Sequence, residues 1–111
     1  MKATSRTVGN VEVIALEGKI TIGAGDTQLR DVITQAVNAN KTNILLDLSK
    51  VTTIDSSGIG ELVGSYTTVT NRGGKLKLLH LPDKLNELLH VTQLITVFEV
   101  YENEQEAVAS F

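Results

Sequence analysis

The chain has 111 residues, a net charge of −3 and no cysteine. This length predicts a single domain, residues 1–111, whose core needs neither a disulfide nor a metal. The missing cysteines exclude thiol catalysis and thiolate metal sites, and the lack of a basic cluster argues against nucleic-acid binding. No apolar run approaches the ~20 residues of a membrane span, and the first residues lack a signal-peptide core. We therefore expect a cytoplasmic protein that binds another protein, with no cofactor, membrane or nucleic-acid partner.

The first two predicted strands are residues 2–8 and Val11–Leu16, joined by a hairpin turn at Gly9-Asn10. Weak alternation predicts that the first is an antiparallel edge strand, whereas the second is apolar on both faces and belongs further inside the sheet. Residues 17–26 predict a loop. Its Gly23-Ala24-Gly25 run lacks the third glycine and the lysine-plus-hydroxyl ending of nucleotide-binding loops, which argues against a phosphate-binding role.

A helix follows, with Asp26 or Thr27 as its capping residue. Its predicted buried stripe is Leu29, Val32, Ile33, Ala36 and Val37. The apolar run Asn43–Leu48 predicts a central parallel strand that is covered on both faces. After a predicted loop, a second helix buries the stripe Ile59, Leu62, Val63, Tyr66 and Val69. Open α/β sheets bind ligands at their carboxyl edge, which is where this loop and helix start lie.

The start of this second helix is unusually polar and rich in glycine. Asp55, Ser56 and Ser57 are all preferred N-cap residue types, and we expect the Asp55 carboxylate to accept hydrogen bonds from backbone N–H groups of the first turn. Glycines follow at positions 58, 60 and 64, although each weakens a helix by up to about 1 kcal/mol relative to alanine. Because Gly60 and Gly64 share one helix face, we expect the sheet or a partner to approach closely there.

The rest of the chain continues the alternation of strands and helices. The predicted elements are a helix end at Asn71–Gly74, a strand at Lys75–His80, a short helix with Pro82 at its first position, a strand at Val97–Tyr101, and a terminal helix capped by Asn103 with Glu106. The pattern predicts an α/β domain with a mixed, mostly parallel sheet, an antiparallel edge hairpin and about four helices.

The segment Leu45–Gly60, with Asp55-Ser56-Ser57-Gly58 near its end, resembles the signature of the STAS domain family, anti-sigma factor antagonist type, and the turn and strand at Arg72–Leu76 also fit. The resemblance implies a STAS fold. It also implies that the serine after the aspartate, Ser56, is phosphorylated by a partner that is both an anti-sigma factor and a serine kinase. The implied partner-binding residues are Asp55, Ser56, Ser57, Gly58, Ile59, Gly60, Lys19 and Thr21.

The resemblance implies a binding protein that is not an enzyme and that phosphorylation switches off. One departure lies after the second strand, where family members usually carry an acidic residue and this chain has Lys19 and Thr21. A second hypothesis is therefore a STAS adaptor subunit that is never phosphorylated and works within a signalling or transport assembly. A homodimer also stays open.

Two enzymatic or metal-dependent classes fit the sequence less well. A Ser-His-Asp hydrolase is disfavoured because His80 and His90 are separated and Ser56 lacks the Gly-x-Ser-x-Gly motif. A receiver domain would take phosphate on Asp55, but it needs an acidic pair after its first strand to hold Mg²⁺, and this chain has Val8-Gly9-Asn10 there. No metal site is predicted.

Overall fold

The computed structural model describes all 111 residues as one α/β domain with five strands and four helices. The strands are β1 (Lys2–Val8), β2 (Val11–Ile20), β3 (Asn43–Ile54), β4 (Lys75–Leu79) and β5 (Val100–Tyr101). The helices are α1 (Gly25–Asn38), α2 (Ser56–Asn71), α3 (Asp83–Val91) and α4 (Glu104–Ala109).

The strands form one sheet whose spatial order, β1-β2-β3-β4-β5, is also the order along the chain. Strands β1 and β2 are antiparallel, and every other neighbouring pair is parallel. Gly9, in the turn between β1 and β2, has a φ of +61°, a left-handed conformation that glycine adopts without strain. The predicted mixed sheet with an antiparallel edge hairpin is confirmed.

Strands β2 and β3 are longer than the sequence predicted. Residues 17–20 and 49–54, which were predicted to be loops, continue the two strands and pair with each other up to Ile20 and Ile54. The pairing skips Thr52, so β3 bulges there. The extensions escape the apolar pattern because most of their side chains are exposed, although Val51 and Ile20 are buried.

The two faces of the sheet are covered unequally. Helices α1, α2 and α3 pack on one face and share a core of 18 buried residues with it. On the other face a smaller cluster consists of Val11, Val13, Leu45, Leu79 and, from α4, Ala107. Helix α4 is six residues long, so one short helix closes this second core.

Lys77 is the unusual residue of the second face, because its side chain points inward and the residue is only 3% exposed. Its Nζ donates hydrogen bonds to the Oγ and the backbone oxygen of Ser110, both at 2.9 Å, and it lies 4.8 Å from the centre of the Phe111 ring. A buried ammonium group needs such partners. Lys77 therefore fastens the segment that follows α4 to the sheet.

The remaining ends of elements differ from the prediction at three places and agree at one. Helix α1 begins at Gly25 after Ala24 and has no side-chain cap, so the prediction that Asp26 or Thr27 caps it is wrong. The predicted strand Val97–Tyr101 is shortened to Val100–Tyr101, because residues 94–96 form a 3₁₀ turn before it. Pro82 is the residue before α3 rather than its first residue. The Asn103 cap is confirmed, since its Oδ1 accepts a hydrogen bond from the Glu106 N–H at 3.0 Å.

Candidate functional site

Asp55 links β3 to α2 and holds two segments of backbone together. Its Oδ1 accepts a hydrogen bond from the Gly58 N–H at 2.9 Å, and its Oδ2 accepts one from the Ile22 N–H at 3.0 Å. The first bond caps α2 and confirms the predicted role of Asp55. The second was not predicted, and it fixes the turn between β2 and α1 beside the start of α2.

These hydrogen bonds lower the pKa of the Asp55 carboxyl below its ordinary value of 3.8, with the Ile22 N–H as the largest cause and the Gly58 N–H next. Donors that bind the ionised form favour it over the protonated form. Asp55 is therefore a carboxylate at neutral pH, placed at the positive end of the α2 dipole.

Two glycines let both large helices approach the end of β2. A Cβ atom on Gly25 would lie 2.1 Å from the Lys19 backbone oxygen, and one on Gly58 would lie 2.1 Å from the Ile20 backbone oxygen. Only glycine fits at such distances. The N-termini of α1 and α2 thus meet at two consecutive peptide groups of β2, and the site lies where both helices begin.

The close approach that was expected at Gly60 and Gly64 is absent within this chain. A Cβ atom on Gly60 would meet nothing within 4 Å, and one on Gly64 would meet only the Glu61 Oε2 at 3.6 Å. Both face away from the sheet, because the buried stripe of α2 runs through Gly58, Leu62, Ser65 and Val69. The expectation of sheet contact is wrong, whereas a role toward a partner stays a prediction.

The predicted residues of α2 differ in how much surface they offer. Ser56 and Gly60 are exposed, and Ser57 is half-buried. Ile59 is half-buried and packs against the main core. Gly58 is buried against β2, so it shapes the site from within. Of the two serines, Ser56 is the more exposed.

Lys19 and Thr21 reach the same edge from β2. Lys19 is an exposed residue of β2 whose register partner is Thr53 of β3, and it does not lie in a loop. Thr21 directly follows β2 and is half-buried. Next to it, the side chain of Ile22 is 74% exposed. Ile22 was missed, although a lone apolar residue between Thr21 and Gly23 was the available signal.

A salt bridge joins the two helices beside the site. The Arg30 Nε on α1 donates a hydrogen bond to the Glu61 Oε1 on α2 at 2.9 Å. Glu61 lies directly after Gly60, so this pair links the surfaces of α1 and α2 about one and a half turns below Ser56. Neither residue was singled out from the sequence, because the pairing depends on how the helices pack.

The two histidines lie elsewhere. His80 follows β4, where its Nδ1 is 4.0 Å from the Glu102 Oε2, and His90 is exposed on α3. No three His, Cys, Asp or Glu side chains lie together in an arrangement that could hold a metal ion. None of the helices combines the length and the apolar character that crossing a bilayer requires.

Comparisons with known proteins agree with this fold. The chain is 26% identical over 98 residues to the anti-sigma F factor antagonist of Paenibacillus polymyxa, covering 87% of this chain and 83% of that protein. A Thermotoga maritima crystal structure, described as a candidate anti-sigma factor antagonist, matches with a TM-score of 0.89 and 23% identity, covering 97% of this chain and 92% of that one.

The phosphorylated form of the Bacillus cell fate determinant SpoIIAA matches with a TM-score of 0.76 and 22% identity over 98% of both chains. At such identities the two solved structures establish the fold alone. The model of the STAS domain family matches residues 2–107. Since that match spans nearly the whole chain, the protein belongs to the STAS domain family, and its resemblance to the anti-sigma factor antagonist type is confirmed.

Proposed function

We propose that this protein is an anti-sigma factor antagonist that binds an anti-sigma factor with serine kinase activity and is switched off when that kinase phosphorylates Ser56. The observation that carries the proposal is the exposed Ser56 hydroxyl at the first residue of α2, directly after the hydrogen-bonded Asp55. The Paenibacillus relative is named an anti-sigma F factor antagonist. In this role the protein is a binding partner in the cytoplasm and not an enzyme.

The binding surface combines the start of α2 with the turn after β2. The Asp55 carboxylate joins these two segments through its bonds to Ile22 and Gly58. Ser56 and Gly60 from α2 and Lys19 from β2 are exposed at this edge. An anti-sigma factor that covers this edge would contact the exposed residues, while Gly58 stays buried beneath them.

Phosphorylation of Ser56 would change this surface without unfolding the domain. A phosphate group adds about −1.5 to −2 charges at neutral pH, and the N-terminus of α2 favours negative charge at that position. In the bound state, however, the phosphate would be desolvated against the partner, which costs several kcal/mol, on the order of a like-charge contact. The partner would therefore dissociate while the fold is kept.

Ser57 makes a poor phosphate acceptor in comparison. It lies about 100° further around the helix than Ser56 and is half-buried. A kinase must bring the hydroxyl into line with the terminal phosphate of the nucleotide. The exposed Ser56 hydroxyl meets that requirement and the Ser57 hydroxyl meets it less well.

The test is phosphate transfer followed by site mapping. The protein is incubated with ATP and each purified anti-sigma factor kinase of the source organism, and the phosphate is located by mass spectrometry. Ser56→Ala should abolish labelling but keep binding, whereas the matched control Ser57→Ala should keep both. Ser56→Asp should fold normally and bind about tenfold or more weakly, as expected for a buried unpaired charge.

Two outcomes would contradict the proposal. Label on Ser57 would overturn the assignment of the acceptor. Label on Asp55 that hydroxylamine removes would indicate an acyl phosphate, and hence receiver-like chemistry. If one of the kinases binds but none transfers phosphate, the result favours the adaptor hypothesis. The observation that supports this hypothesis is Lys19, an exposed residue at a place where family members usually have an acidic residue.

A further inference from the structure

Half of β3 has no strand beside it on the side of β4. Strand β4 pairs with β3 only from Asn43 to Asp47, where Asp47 meets the last residue of β4, Leu79. The chain then turns away through His80, which has a φ of +56°. The remaining seven residues of β3, Leu48–Ile54, therefore form an open edge. Such an edge is about 23 Å long at ~3.3 Å per residue.

The open edge carries backbone groups that can pair with another chain. The Asp55 N–H points toward β2, since it donates to the Ile20 backbone oxygen at 3.5 Å. Because successive residues of a strand point their backbone groups to opposite sides, those of Ile54 point away from β2. Ile54 also takes part in no backbone hydrogen bond outside the regular helices and strand pairs.

An apolar groove of about 410 Å³ lies between this edge and α3. Val51 and Ile54 line it on the strand side, and Leu85, Leu88 and Val91 line it on the helix side. The side chain of Val91 is 76% exposed and that of Leu88 is 37% exposed. Exposed apolar residues gathered beside an unpaired strand edge are typical of a site where another segment packs.

We propose that this groove binds an extended segment of the anti-sigma factor, which adds to the sheet as a strand alongside β3. The inference rests on the proposed function and names a second contact of the same partner. Ile54 lines the groove and Ser56 lies two residues later, so one partner can cover both places at once.

The open backbone edge selects an extended segment over other occupants. A helix or a small apolar molecule would fill the groove but leave the backbone groups of the β3 edge without hydrogen bonds. An extended peptide can fill the groove with its side chains and pair with the edge through its backbone. A second copy of this chain is a poor match. Its outermost strand on the hairpin side, β1, is polar along most of its length and carries Lys2 and Arg6. The partner segment should instead have apolar residues at alternate positions.

The test uses each purified anti-sigma factor kinase of the source organism as the probe. Leu88→Glu and Val91→Glu place a carboxylate in the groove and should each weaken binding about tenfold or more, as burial of an unpaired charge would. Asn86→Glu adds the same charge to α3 at a residue that does not line the groove, so its affinity should stay within about twofold of wild type.

Backbone pairing has its own readout in residue-resolved amide exchange. The partner should slow exchange of the Ile54 N–H by about tenfold or more, and Leu88→Glu should reduce that protection.

The outcomes separate the inference from the proposed function. Suppose that a kinase binds and phosphorylates Ser56, that Leu88→Glu leaves the affinity unchanged, and that the partner leaves the exchange rate of the Ile54 N–H unchanged. The groove inference is then overturned and the proposed function stands. If no anti-sigma factor kinase binds the wild-type protein, both fall. If both glutamate variants bind weakly without any protection of Ile54, strand addition is overturned.

Discussion

The packing of α2 on β2 predicts opposite effects of the same substitution at two glycines of one helix. A Cβ atom at Gly58 would lie 2.1 Å from the Ile20 backbone oxygen and 2.7 Å from the Ile54 Cγ1. The Ile20 oxygen also accepts the Asp55 N–H, so it cannot move without disturbing the junction of β3 and α2. At Gly60 the same Cβ would meet nothing within 4 Å.

The expected magnitudes follow from two opposing terms. Alanine gains up to about 1 kcal/mol of helix propensity over glycine, and it does so at both positions. At Gly58 the forced overlap costs about 1–3 kcal/mol or more. We expect the upper part of that range, because the nearest atom belongs to the Ile20 backbone and cannot rotate away as a side chain can. Gly58→Ala should therefore lower the free energy of unfolding by about 1–2 kcal/mol, and Gly60→Ala should raise it by up to about 1 kcal/mol.

Urea and thermal unfolding followed by circular dichroism would measure both variants beside wild type. One kcal/mol corresponds to about 4–8 °C in Tm for a domain near this size, so the Tm values of the two variants should differ by about 4 °C or more. A Gly58→Ala protein as stable as wild type would refute the reasoning, because it would mean that the backbone at the end of β2 can shift at little cost in free energy. A Gly60→Ala protein that is less stable would refute the outward orientation of that face.

Three further predictions concern single side chains. Ser65→Ala should raise the free energy of unfolding by about 1 kcal/mol, because the Ser65 Oγ is buried without a hydrogen-bond partner; an unchanged or lower value in urea would show that the hydroxyl is satisfied. Asp55→Asn should lower the Tm at pH 7. Because the pKa of the Asp55 carboxyl is lowered in the folded protein, the stabilisation by the carboxylate is lost as the pH falls through that folded pKa. The Tm difference between wild type and Asp55→Asn should therefore shrink in acid, and a pH-independent difference would contradict this. Lys77→Ala should cost about 2–3 kcal/mol through the lost hydrogen bonds and packing and should speed amide exchange in α4, whereas unchanged exchange would show that α4 is held by other contacts.

The apolar pattern was sufficient for the core elements and failed where side chains are exposed. Asn43–Leu48 was recognised because it is apolar on both faces, but β3 continues to Ile54 because β2 pairs with it, and pairing with a distant strand leaves little trace in an exposed sequence. In the same way, Val97–Tyr101 has the composition of a strand, yet residues 94–96 form a 3₁₀ turn and only Val100 and Tyr101 pair with β4.

At the site, the sequence predicted residue types better than it predicted contacts. Asp55 was recognised as a cap because N-capping is local, and its first hydrogen bond is as expected. Its second partner, Ile22, is 33 residues away in the chain and depends on the packing of β2 against β3. Which glycine of α2 faces the sheet also depended on the rotation of the helix, and a spacing of four residues could not supply that rotation.

The agreement between strand order in space and strand order along the chain has a consequence for how the protein forms. Each strand pairs with the strand made just before it, so no strand has to wait for a later segment to be inserted between it and its neighbour. During synthesis, β2 can pair with β1 at once, and β3 can then add to a hairpin that already exists. Loop closure in each step spans at most one α-helix, which keeps its entropic cost low. Growth of the sheet from the N-terminus would leave β3 as the exposed edge until β4 is made, and it would bring the Asp55 junction into place before the C-terminal third of the chain has left the ribosome.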